Sequence, residues 1–578
     1  DLVIEAVFED LAVKQDLFQS LSAILPPKTI LASNTSSFSI SELSRSVKHP
    51  ERFLGLHFFY HAAKNRLVEI IAGDRTAPEL GPRLLAFMER VGKDPITCKD
   101  AHGFVVNRFF VPWLNEAVRI LEEEIADPGT IDRVACETFG CGMGPFALMN
   151  ATGVPIAYHA QRTLEEAYGP FYAPATKLKL QMETGKNWDI PAPGEPDPVT
   201  DQQIGERLQS AVLFVCGQLL DEEVCTAGDI SRGAGVGLRW SQTPVAMMES
   251  LGKEQVGKSI AAFVKPYGIA IPRSVALDMW EPDWVRSEIR GTVGQITINR
   301  PEGLNALNPV VMNQLERHFN RLDDHAEIRA IIITGRGKAF VAGADIKFFV
   351  DHIKRDALDA IVEFTRQGQR VFRRIDESKK QVVAMVNGLA LGGGLELALA
   401  ADRIIALKSA RLAFPETGIG IYPGLGGTSR PVKRIGVGLT KYLVLTGQMI
   451  TAQQAVEMGL IDAVVDRDGF EALLADPDSP VPIPPKQGET WSAISQLFET
   501  HAVGDLLVAD DFPEDQRKWI KNLRYKAPVA LRLAGELIEN EAGPEAELDR
   551  LKEIFSTEDA LAGLQAVLSG KRPVFKGA

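Results

Sequence analysis

Short apolar runs alternate with helically spaced stretches in two separate parts of this sequence, and a long strand-free stretch divides them. In the first part Leu2–Phe8, Thr29–Ser33, Phe53–Phe59 and Leu67–Ile71 read as strands and Leu11–Leu25 as a helix, up to about Thr97. Strands that alternate with helices imply a parallel, doubly wound sheet. From Gly103 to about Leu180 the spacing is nearly all helical. Past Pro282 the strands return: Gly294-Gln-Ile-Thr-Ile-Asn-Arg-Pro is an alternating strand into a turn, and Ala330–Gly335 and Gln381–Val386 are buried strands. Strand–helix units continue to about Val465. Asp466–Pro513, rich in proline and acid, reads as an insertion or linker, and about Glu514–Leu568 as helices.

The helical middle contains a repeat. Arg108 recurs as Arg207, Leu121-Glu-Glu-Glu-Ile125 as Leu220-Asp-Glu-Glu-Val224, Pro145 as Pro244 and Gly153 as Gly252, all 99 residues apart. Four sets at one offset imply a duplicated helical domain, joined by the proline-rich Pro191–Pro198. The expected domains are residues 1–98, 99–190, 198–282 and 286–578.

Composition narrows the partners. The 578 residues are 45% hydrophobic and 24% charged, which is globular and too apolar for a disordered chain. A net charge of −13 argues against nucleic acid or an anionic membrane as partner. No uninterrupted apolar run reaches about 18 residues, which argues against membrane insertion. The five cysteines (Cys98, Cys136, Cys141, Cys216 and Cys225) are scattered, as expected of free thiols in a reducing, cytoplasmic setting. The sequence opens on Asp1-Leu-Val-Ile without an initiator Met or a leader-like segment, so its true start is expected to lie upstream.

Two side chains in the first part carry chemistry. His57 lies in Phe53-Leu-Gly-Leu-His-Phe-Phe and Glu69 in Leu67-Val-Glu-Ile-Ile. A lone histidine on an apolar strand is ordinarily a satisfied core residue. A glutamate there is harder to dismiss, because burying an unpaired carboxylate costs several kcal/mol. Pairing the two removes the objection, since the carboxylate orients the imidazole and stabilises its protonated form, as a general base near neutral pH requires.

Residues 1–190 resemble the 3-hydroxyacyl-CoA dehydrogenase family. The matching segments are Val7–Lys14, Ala32-Ser-Asn-Thr-Ser-Ser37, Gly55–Phe59, Leu67–Ile71, Asp100-Ala-His-Gly-Phe-Val-Val-Asn-Arg108 and Gly144-Pro-Phe146. The resemblance implies that His57 takes the proton of a 3-hydroxyl while hydride leaves carbon 3 for NAD⁺, with Glu69 holding the His57 ring. It further implies that Ser36 and Asn107 position the hydroxyacyl group and nicotinamide, and that Glu9, Lys14, Asn34 and Ser36 line the cofactor site. Two departures stand out. Tyr60-His61 replaces the family's Asn-Pro, and the glycine-rich phosphate loop does not occur in these residues. Without that loop at a helix N-terminus, residues 1–578 are expected to bind NAD poorly.

In the last part, Asn387-Gly-Leu-Ala-Leu-Gly-Gly-Gly394 follows a buried strand and opens an apolar helix. The glycines let a ligand approach the backbone, and free N–H groups at a helix start favour a developing negative charge. The triplet alone is equally a tight strand–helix turn. Glu396 sits one turn into a helix otherwise made of Leu and Ala; the helix N-terminus accounts for its charge but not for its apolar surroundings. Glu416, in Phe414-Pro-Glu-Thr-Gly, is a loop residue, and Ala342-Gly-Ala-Asp-Ile346 is a turn whose chemistry lies in its backbone.

These pieces resemble the enoyl-CoA hydratase/isomerase (crotonase) family over residues 286–578, supported by Asn299-Arg-Pro301, Asn305-Ala-Leu307, Pro423-Gly-Leu-Gly-Gly427 and the tail Phe555–Asp559 through Arg572–Gly577. The resemblance implies an oxyanion hole from the N–H groups of Ala344 and Gly393. It places Ala342, Asp345, Ile346 and Gly424 along the substrate, and Glu396 and Glu416 where hydratases carry two glutamates. Two carboxylates can hold one water, take its proton and protonate the α-carbon of the enolate.

The fold expected is therefore a multidomain α/β chain. It comprises a partial Rossmann-type parallel sheet, a duplicated all-α dehydrogenase domain, and a crotonase-type ββα superhelix with C-terminal helices. The expected function is hydration of a 2-enoyl-CoA and NAD-dependent oxidation of the resulting 3-hydroxyacyl-CoA. NAD is the cofactor, coenzyme A arrives as part of the substrate, and no metal is expected. Acyl-CoA thioesters are the expected partners, with homo-oligomerisation through the crotonase part. A crotonase-type isomerase or lyase and a catalytically silent CoA-binding scaffold are the alternatives.

Overall fold

The computed structural model describes residues 1–277, 279–481, 488–508 and 512–578. It divides into two compact units, Asp1–Asp283 and Trp284–Ala578.

The first unit begins with a five-stranded sheet, β1 (Leu2–Glu5), β2 (Ile30–Ser33), β3 (Phe53–Phe58), β4 (Leu67–Ala72) and β5 (Asp94–Lys99), in that spatial order. All neighbours are parallel except β3 and β4. Strand β1 is shorter than the apolar run Leu2–Phe8 suggests. Its end is set by Glu5, whose buried carboxylate accepts the Val7 N–H at 2.7 Å and turns the chain out of the sheet. The helix Leu11–Ile24 then starts on the Asp10 side chain, which accepts the Val13 N–H at 3.0 Å.

Helices fill the rest of this unit. Pro145–Thr152 and Val154–Tyr168 have counterparts 99 residues later in Pro244–Leu251 and Lys253–Val264, and Gly153 and Gly252 between them both have positive φ. Glu124 and Glu223 are likewise paired in the left-handed region, with φ of 58° and 53°. The core between the helical sets is aromatic: Trp113, Phe139 and Trp240 meet with ring centroids 4.6–5.6 Å apart. Across it, Arg108 forms a two-pronged pair with Glu222 at 2.9 and 3.3 Å, and Arg207 pairs with Glu123 at 2.5 Å. The fully buried Arg108 guanidinium also lies 3.2 Å from the centroid of the Tyr168 ring and donates to the Tyr172 hydroxyl at 3.1 Å.

The second unit is built from strand pairs that alternate between two sheets. A six-stranded sheet has the order β15 (Ala463–Val465), β12 (Arg403–Leu407), β10 (Gln381–Val386), β8 (Ala330–Gly335), β7 (Val293–Ile298), β6 (Val285–Arg290). A four-stranded sheet has the order β14 (Ile450–Thr451), β13 (Arg411–Ala413), β11 (Leu389–Leu391), β9 (Ala339–Ala342). The consecutive pairs β8–β9, β10–β11 and β12–β13 each place one strand in either sheet, which makes this part a superhelix of ββα turns. Because β9, β11 and β13 are parallel neighbours, the segments that follow them emerge side by side. C-terminal helices, Pro528–Glu539 and Glu558–Ser569 among them, close the unit.

Asp466–Pro513 is not a plain linker. Residues 482–487 and 509–511 of this stretch lie outside the described residues, but Arg467–Ala475 and Glu489–Thr500 are helices. Prolines and acids flank an amphipathic face: Trp491, Ile494, Leu497 and Phe498 are all buried, and Phe498 packs on Tyr442 of the helix Arg430–Thr446 with centroids 5.4 Å apart. The two helices cross closely at Gly438, where a Cβ would come within 2.1 Å of the Ser495 carbonyl.

Replacing Arg108 with Met is expected to destabilise the protein by about 2–4 kcal/mol, because a buried ring-stacked cation is lost together with three hydrogen bonds. Urea unfolding measures this, and a loss below about 0.5 kcal/mol would show that the buried guanidinium is dispensable.

Candidate functional sites

In the first unit the antiparallel register of β3 and β4 sets His57 directly opposite Glu69. The His57 Nδ1 lies 2.6 Å from Glu69 Oε2. The other oxygen of Glu69 accepts the N–H groups of Val105 and Val106 at 3.1 and 2.9 Å, where the helix Val106–Glu122 begins. A carboxylate with no solvent exposure is thus satisfied by a ring and by a helix N-terminus. With Nδ1–H donated to the carboxylate, Nε2 is left as the acceptor. The ring is flanked by Phe59 and Phe104, at 4.6 and 5.8 Å between centroids. Asn107 occupies the first turn of the same helix and is half-buried.

A second polar group lies at the carboxyl ends of β1 and β2. Glu9 accepts from the Thr35 hydroxyl at 2.6 Å, the Ser37 hydroxyl at 2.7 Å and the Ser36 N–H at 2.9 Å, and Lys14 Nζ lies 3.2 Å away. Burial alone would raise the Glu9 carboxyl, but these donors and the ammonium outweigh it and hold the group below its ordinary value. Ser36 itself is exposed. The Asn34 side chain accepts the Phe58 N–H at 2.8 Å, tying this group to the strand of His57. Lys14 is anchored from below by Glu5 at 2.7 Å. Sequence reading missed Glu5, although an acid inside an apolar strand is the same signal that exposes Glu69.

The carboxyl ends of parallel strands are where open α/β sheets receive ligands, and hydroxyl, amide and ammonium groups here suit the nicotinamide end of a dinucleotide. No G-x-G-x-x-G turn occurs in residues 1–578 to receive its pyrophosphate. Among the described residues no group of three or more His, Cys, Asp or Glu is arranged to hold a metal ion.

In the second unit a cleft of about 690 Å³, counting its open mouth, is lined by residues that include Ala342, Ala344, Ile346, Gly393, Glu396, Glu416 and Gly424. They come from the ends of β9, β11 and β13 and from the loop around Gly424. The Ala344 and Gly393 amides are near neighbours, since a Cβ on Gly393 would lie 3.8 Å from the Ala344 nitrogen. Neither amide has an acceptor among the described residues. Gly392 and Gly394 are sterically required: a Cβ at Gly392 would lie 2.3 Å from Glu416 Oε1, and one at Gly394 2.0 Å from the Val341 carbonyl. Asp345 stands apart from the lining. Its carboxylate pairs with Arg300 at 2.9 Å and accepts the Lys347 N–H at 3.1 Å, capping the helix Ile346–Lys354.

Glu396 is 2% exposed, and its Oε1 accepts the N–H groups of Leu425 and Gly427, both at 2.7 Å. Glu416 is buried too, and its Oε2 has no hydrogen-bond partner among the described residues. Burial raises both carboxyls. The charges of Glu416 and Glu547 push Glu396 further up, and Glu416 is raised to about 8 despite the nearby Lys526 ammonium. Two buried acids on one cleft thus retain a proton at neutral pH. Glu547, raised to about 7 by its burial, gave no signal in the sequence because it is one of several acids in a short C-terminal helix.

Residues 1–101 match the family model of the 3-hydroxyacyl-CoA dehydrogenase NAD binding domain, residues 103–187 that of the 3-hydroxyacyl-CoA dehydrogenase C-terminal domain, and residues 288–474 that of enoyl-CoA hydratase/isomerase. The putative enoyl-CoA hydratase/isomerase YngF of Bacillus subtilis is 36% identical over 283 residues, 49% of this chain and 94% of the relative. The short-chain-enoyl-CoA hydratase of Clostridium acetobutylicum is 42% identical over 180 residues, 31% of this chain and 67% of the relative. A probable 3-hydroxybutyryl-CoA dehydrogenase of Deinococcus radiodurans is 36% identical over 186 residues, 32% of this chain and 67% of the relative. The two buried sites accordingly lie in two enzyme domains on one polypeptide, and the chain belongs to the enoyl-CoA hydratase/isomerase family in its second half, fused behind a 3-hydroxyacyl-CoA dehydrogenase.

Proposed function

We propose that the second half hydrates a 2-enoyl-CoA to the 3-hydroxyacyl-CoA and that the first half oxidises that product to the 3-oxoacyl-CoA. The observation that carries the hydration is the meeting of two buried carboxyls with two acceptor-free amides on one cleft. The Ala344 and Gly393 amides hold the thioester oxygen as negative charge gathers on it, an interaction worth about 2.7–4 kcal/mol per donor in comparable sites. The ionised member of the Glu396–Glu416 pair takes a proton from water as the water oxygen bonds to carbon 3. The protonated member gives its proton to carbon 2, so the elements of water are added and the pair returns to one proton. Ala342, Ile346 and Gly424 flank the acyl thioester.

In the first half, His57 Nε2 accepts the proton of the 3-hydroxyl, and Glu69 stabilises the imidazolium that forms. Ser36 and Asn107 orient the hydroxyacyl group and the nicotinamide, while Glu9, Lys14 and Asn34 shape the cofactor side. NAD⁺, when bound, supplies the hydride acceptor for carbon 3.

The helical repeat has a role in this half. Arg108 pairs with Glu222 and Arg207 with Glu123, so each member of one pair lies 99 residues from its counterpart in the other. Such reciprocity is the mark of a self-complementary interface, and it supports reading residues 99–190 and 198–282 as two copies of one domain. A homo-oligomer built through residues 286–578 and a reducing, cytoplasmic setting for the five free cysteines complete the proposal.

Loss of the enoyl absorbance of crotonyl-CoA tests the hydration. Glu396→Gln and Glu416→Gln are each expected to lower kcat by about 10²–10⁴-fold with the fold intact, and full activity in either variant would sink the two-carboxylate reading. For the oxidation, NADH formation by residues 1–578 at ordinary NAD⁺ affinity would show that the glycine loop is not needed. Stability should also follow the acids. Glu416 titrates near 8 when folded against an ordinary 4.5, so between these values the folded chain holds a proton that the unfolded chain has released. The linkage makes stability fall as pH rises through that window. The melting temperature should drop between about pH 5 and about pH 8, and by less in Glu416→Gln; an equal drop would refute the buried-acid assignment.

A further inference from the structure

Glu547 is outside the cleft and touches none of the groups assigned to the reaction, yet it is fully buried. Among the described residues, all the hydrogen bonds its carboxylate accepts come from one short loop. Gly426 N–H donates to Oε2 at 2.7 Å, and the Thr428 N–H and hydroxyl donate to Oε1 at 3.0 and 2.5 Å. The two amides that alternate with these, Leu425 and Gly427, donate to Glu396. Four successive N–H groups are therefore shared between two carboxylates, odd-numbered residues to one and even-numbered to the other.

The loop has little freedom apart from these bonds. Gly426 has φ of +101°, and a Cβ there would meet the Arg430 guanidinium at 1.9 Å; the same guanidinium donates to the Leu425 carbonyl at 2.6 Å. At Gly427 a Cβ would lie 2.6 Å from Pro423 and 2.8 Å from Glu396 Oε1. Tyr422, which lines the cleft, donates its hydroxyl to the Glu547 backbone carbonyl at 2.5 Å, so the helix Gly543–Asp549 is fastened to both ends of the segment.

We propose that Glu547 is a positioning residue for the hydration, acting through the Leu425–Thr428 loop to hold the two amides that aim Glu396 into the cleft. The ionised form of Glu547 suits this, because the groups that bond to it, the Gly426 and Thr428 N–H and the Thr428 hydroxyl, all donate; an amide would set its own N–H₂ against one of them. Removing it frees Gly426 and Thr428, and the alternate amides move with them because neighbouring peptide planes are joined at shared Cα atoms. The inference rests on the hydratase reading of the cleft, and two independent readouts separate the two.

The experiment uses the full chain carrying Glu547→Gln or Thr428→Val, with Glu553→Gln, an ion-paired residue of the next helix, as control. Crotonyl-CoA hydration and hydrogen–deuterium exchange of the 421–430 segment are measured on each. Glu547→Gln is expected to lower kcat about 10–100-fold, the loss that a misplaced catalytic group brings, with KM changed by less than about twofold. Exchange at residues 425–428 should accelerate. Thr428→Val should shift both readouts in the same direction by less, and it carries the test if Glu547→Gln does not fold. Glu553→Gln should leave both unchanged. Wild-type kcat in a folded Glu547→Gln, a loss confined to KM, or unaltered exchange at 425–428 would overturn the proposal. A wild-type chain that does not hydrate crotonyl-CoA would overturn the hydratase reading, while the exchange data would still decide whether Glu547 holds the loop.

Discussion

Hiding a carboxylate from water is costly, and the loop beside the second cleft offsets part of that cost for Glu396. Glu396 sits in a helix of Leu and Ala, where an unsatisfied carboxylate would cost several kcal/mol. Two amides of the 425–428 loop offset that cost. Keeping those amides in place requires glycines with no side chain to collide, an arginine on the loop carbonyl, and a second buried carboxylate on the far side. The incomplete compensation is useful. Because the acids are buried and close, a proton stays in the cleft at a pH where an exposed glutamate has none.

The first unit meets the same difficulty differently. Glu69 is also shut away from solvent, but it is satisfied in full by His57 and two helix-terminal amides. The result is an oriented imidazole with one nitrogen fixed and the other free. One site thus keeps its acids short of partners, and the other gives its acid every partner it can use. A hydration that must both take and give a proton calls for the former, and an oxidation that needs a single base calls for the latter.

Much of this was legible in the sequence. His57 and Glu69 stood out because a charge on an apolar strand demands a partner, and β3 and β4 pair them in register. The triple glycine and Glu396 stood out for the same reason on a helix. Other features were hidden for identifiable causes. Strand β1 ends early because a side-chain carboxylate captures a backbone N–H, which periodicity does not reveal. The helix Glu489–Thr500 was masked by the prolines and acids around it. Asp345 lies in the right motif, but its side chain turns to Arg300 and a helix cap, leaving the cleft to its neighbours' backbone.

By itself the sequence marked which groups need a partner, since Glu69 and Glu396 are charges set among apolar residues and His57 lies on an apolar strand. It also marked, in the triple glycine, a place where the backbone can be approached closely or turn tightly; that a Cβ at 392 or 394 would collide is a finding of the structure. Tertiary structure alone decided that the turns after β9, β11 and β13 open onto one cleft, because adjacency in a superhelix depends on pairing between strands well separated in sequence, Leu389 of β11 lying opposite Ala339 of β9 and Arg411 of β13. It also decided that Glu547, 151 positions beyond Glu396, closes the loop from behind. A carboxylate's partners are chosen by distance in space, and a linear chain carries no record of that distance.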